Sequence, residues 1–208
     1  MKLMRKISGL LALCVLATSV AAATFPDRPV RLIVPFPAGG TSDILARLLQ
    51  TPASAAAGQQ FVIENRPGGA STIGSSAVAR APADGHTLLV ADLAIVVNPS
   101  LLKDMPYNTT KDFRGVIGLA KAPLVLLVNA NVPANTLQEL MAMAKARPGS
   151  LNFASGGNGA STHMAGEMFK LATGLDIVHV PFQGVAPAMN ALLGGQVEIY
   201  FGGTTTAQ

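Results

Sequence analysis

Two glycine-rich turns carry most of the groups in this sequence that could bind a ligand. Residues 38–43 (Ala-Gly-Gly-Thr-Ser-Asp) follow a predicted strand at 30–34, and residues 155–163 (Ser-Gly-Gly-Asn-Gly-Ala-Ser-Thr-His) follow a second predicted strand that begins at residue 151. Each turn precedes a segment with helical spacing of apolar residues. Glycine lets the backbone approach a ligand, and a helix start offers unpaired N–H groups at the positive end of its dipole. The sequence therefore predicts two anion-binding turns that face one cleft between two lobes.

The first turn does not have the residues of a nucleotide site. It lacks the Lys-Ser/Thr pair of a P-loop and the three-glycine spacing of a dinucleotide-binding turn. Its glycines are typical both of a carboxylate-binding loop and of a structural strand-to-helix turn, so the residues alone leave both interpretations open. Asp43 also has a structural explanation, because it lies in the first helical turn and Arg47 follows four residues later.

Ser161 and His163 in the second turn raise the question of an enzyme. A nucleophile elbow requires Gly-x-Ser-x-Gly, whereas Ser161 lies in Gly-Ala-Ser-Thr-His. We interpret Ser161 as a helix N-cap that faces the cleft, and His163 as either a cleft residue or a hydrogen-bonded structural residue. A secreted enzyme that acts on an anionic substrate through Ser161 and His163 remains the alternative. His86, His163 and His179 lie in separate segments, so we expect no metal site and no cofactor.

The hydrophobic pattern predicts an α/β fold in which each of two lobes is a mostly parallel sheet flanked by helices. Half of the 208 residues are hydrophobic, 12% are charged, and Gly and Pro are abundant, which favours short elements joined by tight turns. In the first lobe, residues 24–122, we expect strands at 30–34, 60–65, 86–90 and 112–120, and helices at 41–50, 71–80 and from Asn98. The first helix either ends near residue 50 or continues past Pro52. In the second lobe, residues 123–208, we expect a buried parallel strand at 124–128, further strands at 151–155, 177–182 and 197–201, and helices from a capping box at Thr136, at 161–171 and at 186–193.

Residues 1–23 have the pattern of a secretory signal peptide: a basic start, a short apolar run and small residues at the end. The sole cysteine, Cys14, lies in this leader, so we expect no disulfide in the mature protein and a location in the periplasm. Lys2, Arg5 and Lys6 supply most of the formal net charge of +4, which falls to about +1 without them. The other basic residues are scattered, and we expect no nucleic-acid partner.

Longer motifs occur in order along the chain after the leader. They are residues 36–43 (FPAGGTSD), 64–70 (ENRPGGA), 83–89 (ADGHTLL), 98–101 (NPSL), 154–167 (ASGGNGASTHMAGE), 180–188 (VPFQGVAPA) and 193–197 (LGGQV). In this combination the chain resembles the Bug family, the extracytoplasmic solute-binding proteins of tripartite tricarboxylate transporters. The resemblance covers essentially the whole chain after residue 23 and is more specific than either glycine turn alone.

This resemblance implies a type II-like, two-lobed periplasmic binding protein that closes on a small organic carboxylate. Such a protein presents its solute to a membrane permease and performs no chemistry; we expect a monomer. The resemblance also implies that backbone amides, hydroxyls and bridging waters from both turns hold the carboxylate. The positions that match this role are Ala38, Gly39, Thr41, Asp43, Ser155, Gly156, Gly159, Ser161, Thr162 and His163, with Phe182, Gln183 and Gly184 completing the wall of the second lobe.

Two features depart from the family pattern. The chain is considerably shorter than family members, so we expect a first lobe without its returning C-terminal segment and a second lobe truncated after the strand at 197–201. A third hypothesis is therefore a fragment of a binding protein that folds marginally and binds its solute weakly or not at all. Asp92 stands where the family often has small or hydroxylated residues. It either lines the pocket and favours a solute with an ammonium group or another donor, or caps the next helix.

Overall fold

The computed structural model describes residues 24–204, so the predicted signal peptide at residues 1–23 lies outside the described residues. The described chain is an α/β structure. Its strands are β1 Val30–Val34, β2 Phe61–Asn65, β3 Thr87–Leu89, β4 Leu124–Val128, β5 Asn152–Ser155, β6 Val178–Pro181 and β7 Ile199–Gly203. Its helices are α1 Thr41–Ala57, α2 Thr72–Ala79, α3 Ala94–Leu101, α4 Leu137–Ala146, α5 Ser161–Thr173 and α6 Val185–Leu193. Within this part of the chain, none of the helices is both long enough and apolar enough to cross a membrane.

The first sheet is parallel and has the strand order β2-β1-β3. Its central strand β1 is almost entirely buried, and Leu32 and Val34 pack with Ala46 of α1 and Val90. The predicted β-α-β-α-β order is confirmed, and α1 continues through Pro52 to end at Gly58 in the left-handed conformation. Because β1 leads directly into residues 35–40, the first glycine turn lies at the carboxyl end of the central strand, where parallel sheets place their ligands.

The second sheet has the order β4-β7-β5-β6, and β5 pairs in parallel with β6 and β7. The prediction of a buried parallel strand at 124–128 is wrong: β4 is an edge strand that pairs antiparallel to β7, and Leu124 is 37% exposed. Leu126 and Leu127 pack into separate hydrophobic clusters, built around Phe153 and Tyr200 respectively. Contact with a core on both faces explains the continuous apolar run. Such a run does not determine whether the partner strand is parallel or antiparallel.

Helix α3 begins at Ala94, four residues before its predicted start at Asn98. The Asp92 carboxylate accepts a hydrogen bond from the Ala94 N–H (2.8 Å), which satisfies an unpaired group at the helix start. Pro99 lies inside the helix and cannot donate to the carbonyl of Ile95. The Thr109 hydroxyl donates to that carbonyl instead (2.9 Å). A side chain remote in sequence therefore compensates for the proline.

The strand predicted at residues 112–120 is absent from the described structure, which has irregular backbone there. Val116 and Ile117 are 78% and 76% exposed. A strand requires a neighbour that pairs with its backbone N–H and C=O groups, and neither described sheet extends to this segment. The apolar residues alone therefore do not produce a strand.

Candidate functional site

The first glycine turn is fixed from within by Asp43, which is almost completely buried. Its carboxylate accepts hydrogen bonds from the Gly39 N–H (2.9 Å), the Arg47 Nε–H (2.9 Å) and the Asn65 Nδ2–H (3.0 Å). Burial opposes ionisation of this carboxyl group, but the hydrogen bonds, led by that of Arg47, lower its pKa. The predicted pair of Asp43 and Arg47 is confirmed. Asp43 therefore holds the turn against the sheet and the helix.

The same turn leaves the start of α1 open. Gly40 is the N-cap residue and makes no side-chain cap. The backbone N–H groups of Thr41 and Ser42 have no acceptor among residues 24–204. Since unpaired N–H groups and the helix dipole both attract negative charge, this helix start is suited to bind an anion.

The second turn uses most of its own polar groups. The Gly156 N–H donates to the Thr162 hydroxyl (2.9 Å), the Gly157 N–H to the Ser155 hydroxyl (3.1 Å) and the Gly159 N–H to His163 Nδ1 (3.2 Å). Ser161 does not cap α5 as predicted, because the N-cap residue is Ala160 and no side-chain cap is formed. Ser161 instead begins the helix, and three side chains of the motif stabilise the turn.

His179, on the neighbouring strand β6, completes this network. Its Nε2 lies 2.6 Å from the Ser155 hydroxyl, and its ring stacks on that of His163 with centroids 4.1 Å apart. Burial, followed by the charge of the neighbouring His163, lowers the pKa of His179 to about 4. Burial likewise lowers the pKa of His163. The stack is therefore neutral at neutral pH.

The serine and histidine predicted for the alternative enzyme are not paired. His163 Nδ1 accepts the Gly159 N–H, and the serine that contacts a histidine is Ser155, which is fully buried behind the turn. A nucleophile must reach its substrate, so a buried Ser155 does not provide the geometry of covalent catalysis. In residues 24–204 there is also no group of three or more His, Cys, Asp or Glu side chains that could hold a metal ion.

A cleft of about 310 Å³ lies between the two glycine turns. Of the predicted ligand residues, Thr41, Gly156, Ser161 and Thr162 line it, as does Gly184. The remaining predicted residues do not line it: Ala38, Gly39, Asp43, Ser155, Gly159, His163, Phe182 and Gln183. No Lys, Arg or His side chain of the described residues lines the cleft.

The two halves of the molecule approach each other beside this cleft. A Cβ atom on Gly184 (φ +114°) would lie 2.9 Å from Pro37 Cγ, and a Cβ atom on Gly159 (φ +77°) would lie 2.6 Å from Asn98 Oδ1. Both distances are shorter than side-chain contacts allow, so glycine is required on steric as well as conformational grounds. Asn98 is buried inside α3, and its Nδ2 donates to the Ala70 carbonyl (2.7 Å).

Asp92 lies between the cleft and the start of α3. It lines the cleft, and its carboxylate accepts the Ala94 N–H at the start of α3, although the N-cap residue of this helix is Leu93. Burial raises the pKa of this carboxyl group to about 6, although the N–H groups of Ala94 and Ser161 act in the opposite direction. The carboxylate therefore lies on the wall of the cleft next to the start of α5.

Sequence reasoning missed Tyr200, which also lines the cleft. Its side chain is 0% exposed, and its hydroxyl has no hydrogen-bond partner within residues 24–204. Burial raises its pKa to about 12, so the hydroxyl remains protonated. The available signal was a phenol within the apolar strand 197–201, since buried tyrosine hydroxyls usually have a partner.

A second cavity, of about 280 Å³, lies away from both glycine turns. Asn129, Arg147 and Glu198 are among its lining residues. None of the predicted ligand residues lines it. We therefore place the candidate site in the cleft between the turns.

The fold of the chain matches solved structures that include the periplasmic binding protein BugD. A Rhodopseudomonas palustris protein with adipate has a TM-score of 0.85 and 36% sequence identity over 88% of this chain and 62% of its own. MatC from the same organism, with bound malate, has a TM-score of 0.78 and 32% identity over 88% of this chain and 63% of its own.

The sequence model of the tripartite tricarboxylate transporter family receptor, TctC, matches residues 45–208, and the chain belongs to this family. BugT of Bordetella pertussis is 38% identical over 198 residues, which are 94% of this chain and 61% of BugT. The chain thus spans about three fifths of the length of the curated relatives it matches. Its homologues are periplasmic solute-binding proteins, and the resemblance to the Bug family is confirmed.

Proposed function

We propose that this protein is an extracytoplasmic receptor that captures a small organic carboxylate between two lobes and delivers it to the membrane permease of a tripartite tricarboxylate transporter. The observation that carries the proposal is the unpaired start of α1 facing the second glycine turn across one cleft. Membership of the receptor family, and relatives with bound adipate and malate, support a carboxylate as the solute.

In this proposal the carboxylate binds without a salt bridge. Residues 24–204 place no Lys or Arg side chain on the cleft wall. The Thr41 and Ser42 N–H groups would donate to the carboxylate oxygens, and the Ser161 hydroxyl would approach from the other wall. Amide donors at a helix start are sufficient for an anion, because the dipole adds to their hydrogen bonds. Asp43, Thr162 and His163 would act by holding the turns in place.

The remaining parts of the proposal follow from the same role. The lobes would divide near residue 122, in the irregular segment that precedes β4. Residues 1–23 would direct export to the periplasm, where a monomer would bind its solute without a catalytic step. The buried position of Ser155 is consistent with a protein that binds its solute without reacting with it. So is the hydrogen bond that His163 accepts from the Gly159 N–H.

The test replaces Thr41 with proline, which removes one N–H group from the start of α1 and leaves the helix intact. Proline suits the first helical position, and Gly40 already has the extended conformation (φ −79°, ψ 166°) that a residue before proline prefers. We expect saturable binding of adipate or malate by calorimetry in the unmodified protein, and a loss of about tenfold or more in Thr41→Pro.

Leu137→Pro is the matched control, because Leu137 is the first residue of α4 and Thr136 before it is also extended. The start of α4 does not line the cleft, so this variant should bind like the unmodified protein. Absence of binding for every carboxylate tried, or equal affinity in the two proline variants, would contradict the proposed function.

A further inference from the structure

The hydroxyl of Tyr200 is a polar group that the fold buries and does not satisfy. Tyr200 lies on β7, between β4 and β5, with its side chain fully buried and its hydroxyl without a partner in the described residues. A buried hydroxyl that lacks a hydrogen bond destabilises the folded protein. Tyr200 is among the residues that line the cleft, so a small shift of its side chain on solute binding would bring the buried hydroxyl within reach of the solute.

Asp92 makes the two walls of the cleft electrostatically different. Its Oδ1 accepts the Ala94 N–H, and the Ser161 N–H at the start of α5 also interacts with the carboxylate. A negative side chain therefore already lies beside this helix start. On the other wall, the Thr41 and Ser42 N–H groups have no acceptor in the described chain. One wall attracts a carboxylate, and the other presents an anion.

We propose that Asp92 and Tyr200 select solutes that carry a protonated amino group in addition to a carboxylate, which makes the receptor specific for amino acids rather than for unsubstituted dicarboxylates. This inference rests on the proposed carboxylate-binding function. The solute carboxylate binds the start of α1, and its ammonium group donates to Asp92. Tyr200 accepts from the ammonium group or donates to a solute oxygen, since a phenol can do both.

The reason for this preference is the low polarity of the cleft. Apolar side chains such as Phe36, Leu45 and Val185 line much of it, and no described cationic side chain is present to offset Asp92. A second solute carboxylate near Asp92 would be desolvated and repelled. An ammonium group has three donors and the complementary charge, so it compensates for the loss of water on both groups.

Three acids with the same four-carbon chain test the inference: succinate, malate and aspartate differ only by hydrogen, hydroxyl or ammonium at the second carbon. Calorimetry at pH 7.5 on the purified protein should show aspartate binding about tenfold or more tightly than succinate, with malate between them. Asp92→Asn keeps an oxygen for the Ala94 N–H but removes the charge. We expect it to weaken aspartate binding by about tenfold and to leave succinate binding unchanged or tighter.

Asp112→Asn is the control for this substitution. The Asp112 carboxylate also accepts a backbone N–H, that of Asn108 (2.7 Å), but it does not line the cleft. This variant should keep the order of the three acids. If Asp92→Asn and Asp112→Asn gave the same affinities, Asp92 would have no role in selection.

Tyr200→Phe removes only the hydroxyl and should weaken aspartate binding by about five- to tenfold without lowering the melting temperature. Tyr107→Phe is its control: the Tyr107 hydroxyl is also buried and unpartnered within residues 24–204, but it does not line the cleft. Equal affinities in the two Phe variants would exclude a contact between Tyr200 and the solute.

The outcomes distinguish the two proposals. If all three acids bind and succinate is as tight as aspartate, the selection by Asp92 and Tyr200 is refuted while the carboxylate-binding function stands. If none of these acids and no other carboxylate binds, the proposed function fails, and this inference fails with it.

Discussion

Asp43, Thr162 and His163 each accept a hydrogen bond from the N–H of a glycine in their own turn. Their side chains therefore fix the shape of the turns. The N–H groups of Thr41 and Ser42, at the start of α1, have no acceptor in residues 24–204. The motifs in the sequence located both turns, but a motif does not distinguish a residue that contacts solute from one that holds the contacting backbone. That distinction depends on side-chain orientation, which only the fold determines.

Tyr200 shows a second feature that could not be predicted from the sequence. It lies in a strand with Ile199 and Phe201, where an aromatic residue is the ordinary choice for a core. Tyr200 does pack into such a core, with Ala154 and Leu192. Whether its hydroxyl finds a partner depends on residues distant in sequence, so the unsatisfied group becomes apparent only when the sheet is assembled.

Acid should destabilise the protein through His179. Its folded pKa of about 4 lies below the ordinary value of 6.5, so the unfolded chain takes up a proton first as the pH falls. The stability associated with neutral His179 is present above about pH 6.5 and is lost progressively toward pH 4. We expect the free energy of unfolding, measured with urea, to be lower at pH 5 than at pH 7 because of this titration. The decrease should be about 2 kcal/mol smaller in His179→Gln than in the unmodified protein.

Asp92→Asn should change the pH dependence of stability in the opposite direction to His179→Gln. The raised pKa of Asp92, about 6, means that its contribution to stability is present at low pH and is lost as the pH rises through 6. Removing this group should make the loss of stability from pH 7 to pH 5 steeper than in the unmodified protein. Parallel pH profiles for both variants and the unmodified protein would show that neither side chain titrates as described.

At the scale of helices and strands, the sequence predicted what local periodicity determines. The β-α-β-α-β order of the first sheet, the capping box at Thr136 and the helices after both glycine turns are all present. The predictions that failed all concern features whose structure depends on contacts with residues distant in sequence. The antiparallel pairing of β4 requires β7, the early start of α3 requires Asp92 and Thr109, and residues 112–120 have no neighbouring strand.

Gly159 provides a test of the contact between the second glycine turn and α3. Gly159→Ala places a methyl group in a left-handed conformation and against Asn98 Oδ1. Gly174→Ala is the matched control, because Gly174 has a similar φ of +66° but no atom near the position of its Cβ. We expect the control to lower the free energy of unfolding by about 1 kcal/mol and Gly159→Ala to lower it by about 2–4 kcal/mol. Equal losses in urea denaturation would show that the turn and α3 are not in close contact.

At the level of the whole molecule, we propose that the two glycine turns form one carboxylate site without a cation. Pro37 and Gly184 meet on one side of the cleft, and Asn98 and Gly159 approach each other from the two halves of the chain. These contacts bring the open start of α1 opposite the second turn. Residues far apart in sequence therefore form the walls of one cleft.

A crystal structure of the protein with a bound carboxylate would show whether the two turns bind it in this way. Malate or aspartate would be soaked or co-crystallised, and the contacts of its carboxylate oxygens measured. We expect one carboxylate in the cleft, with its oxygens about 2.7–3.1 Å from the backbone nitrogens of Thr41 and Ser42. A carboxylate held by an Arg or Lys side chain, or bound in the second cavity beside Arg147, would contradict the proposed binding mode.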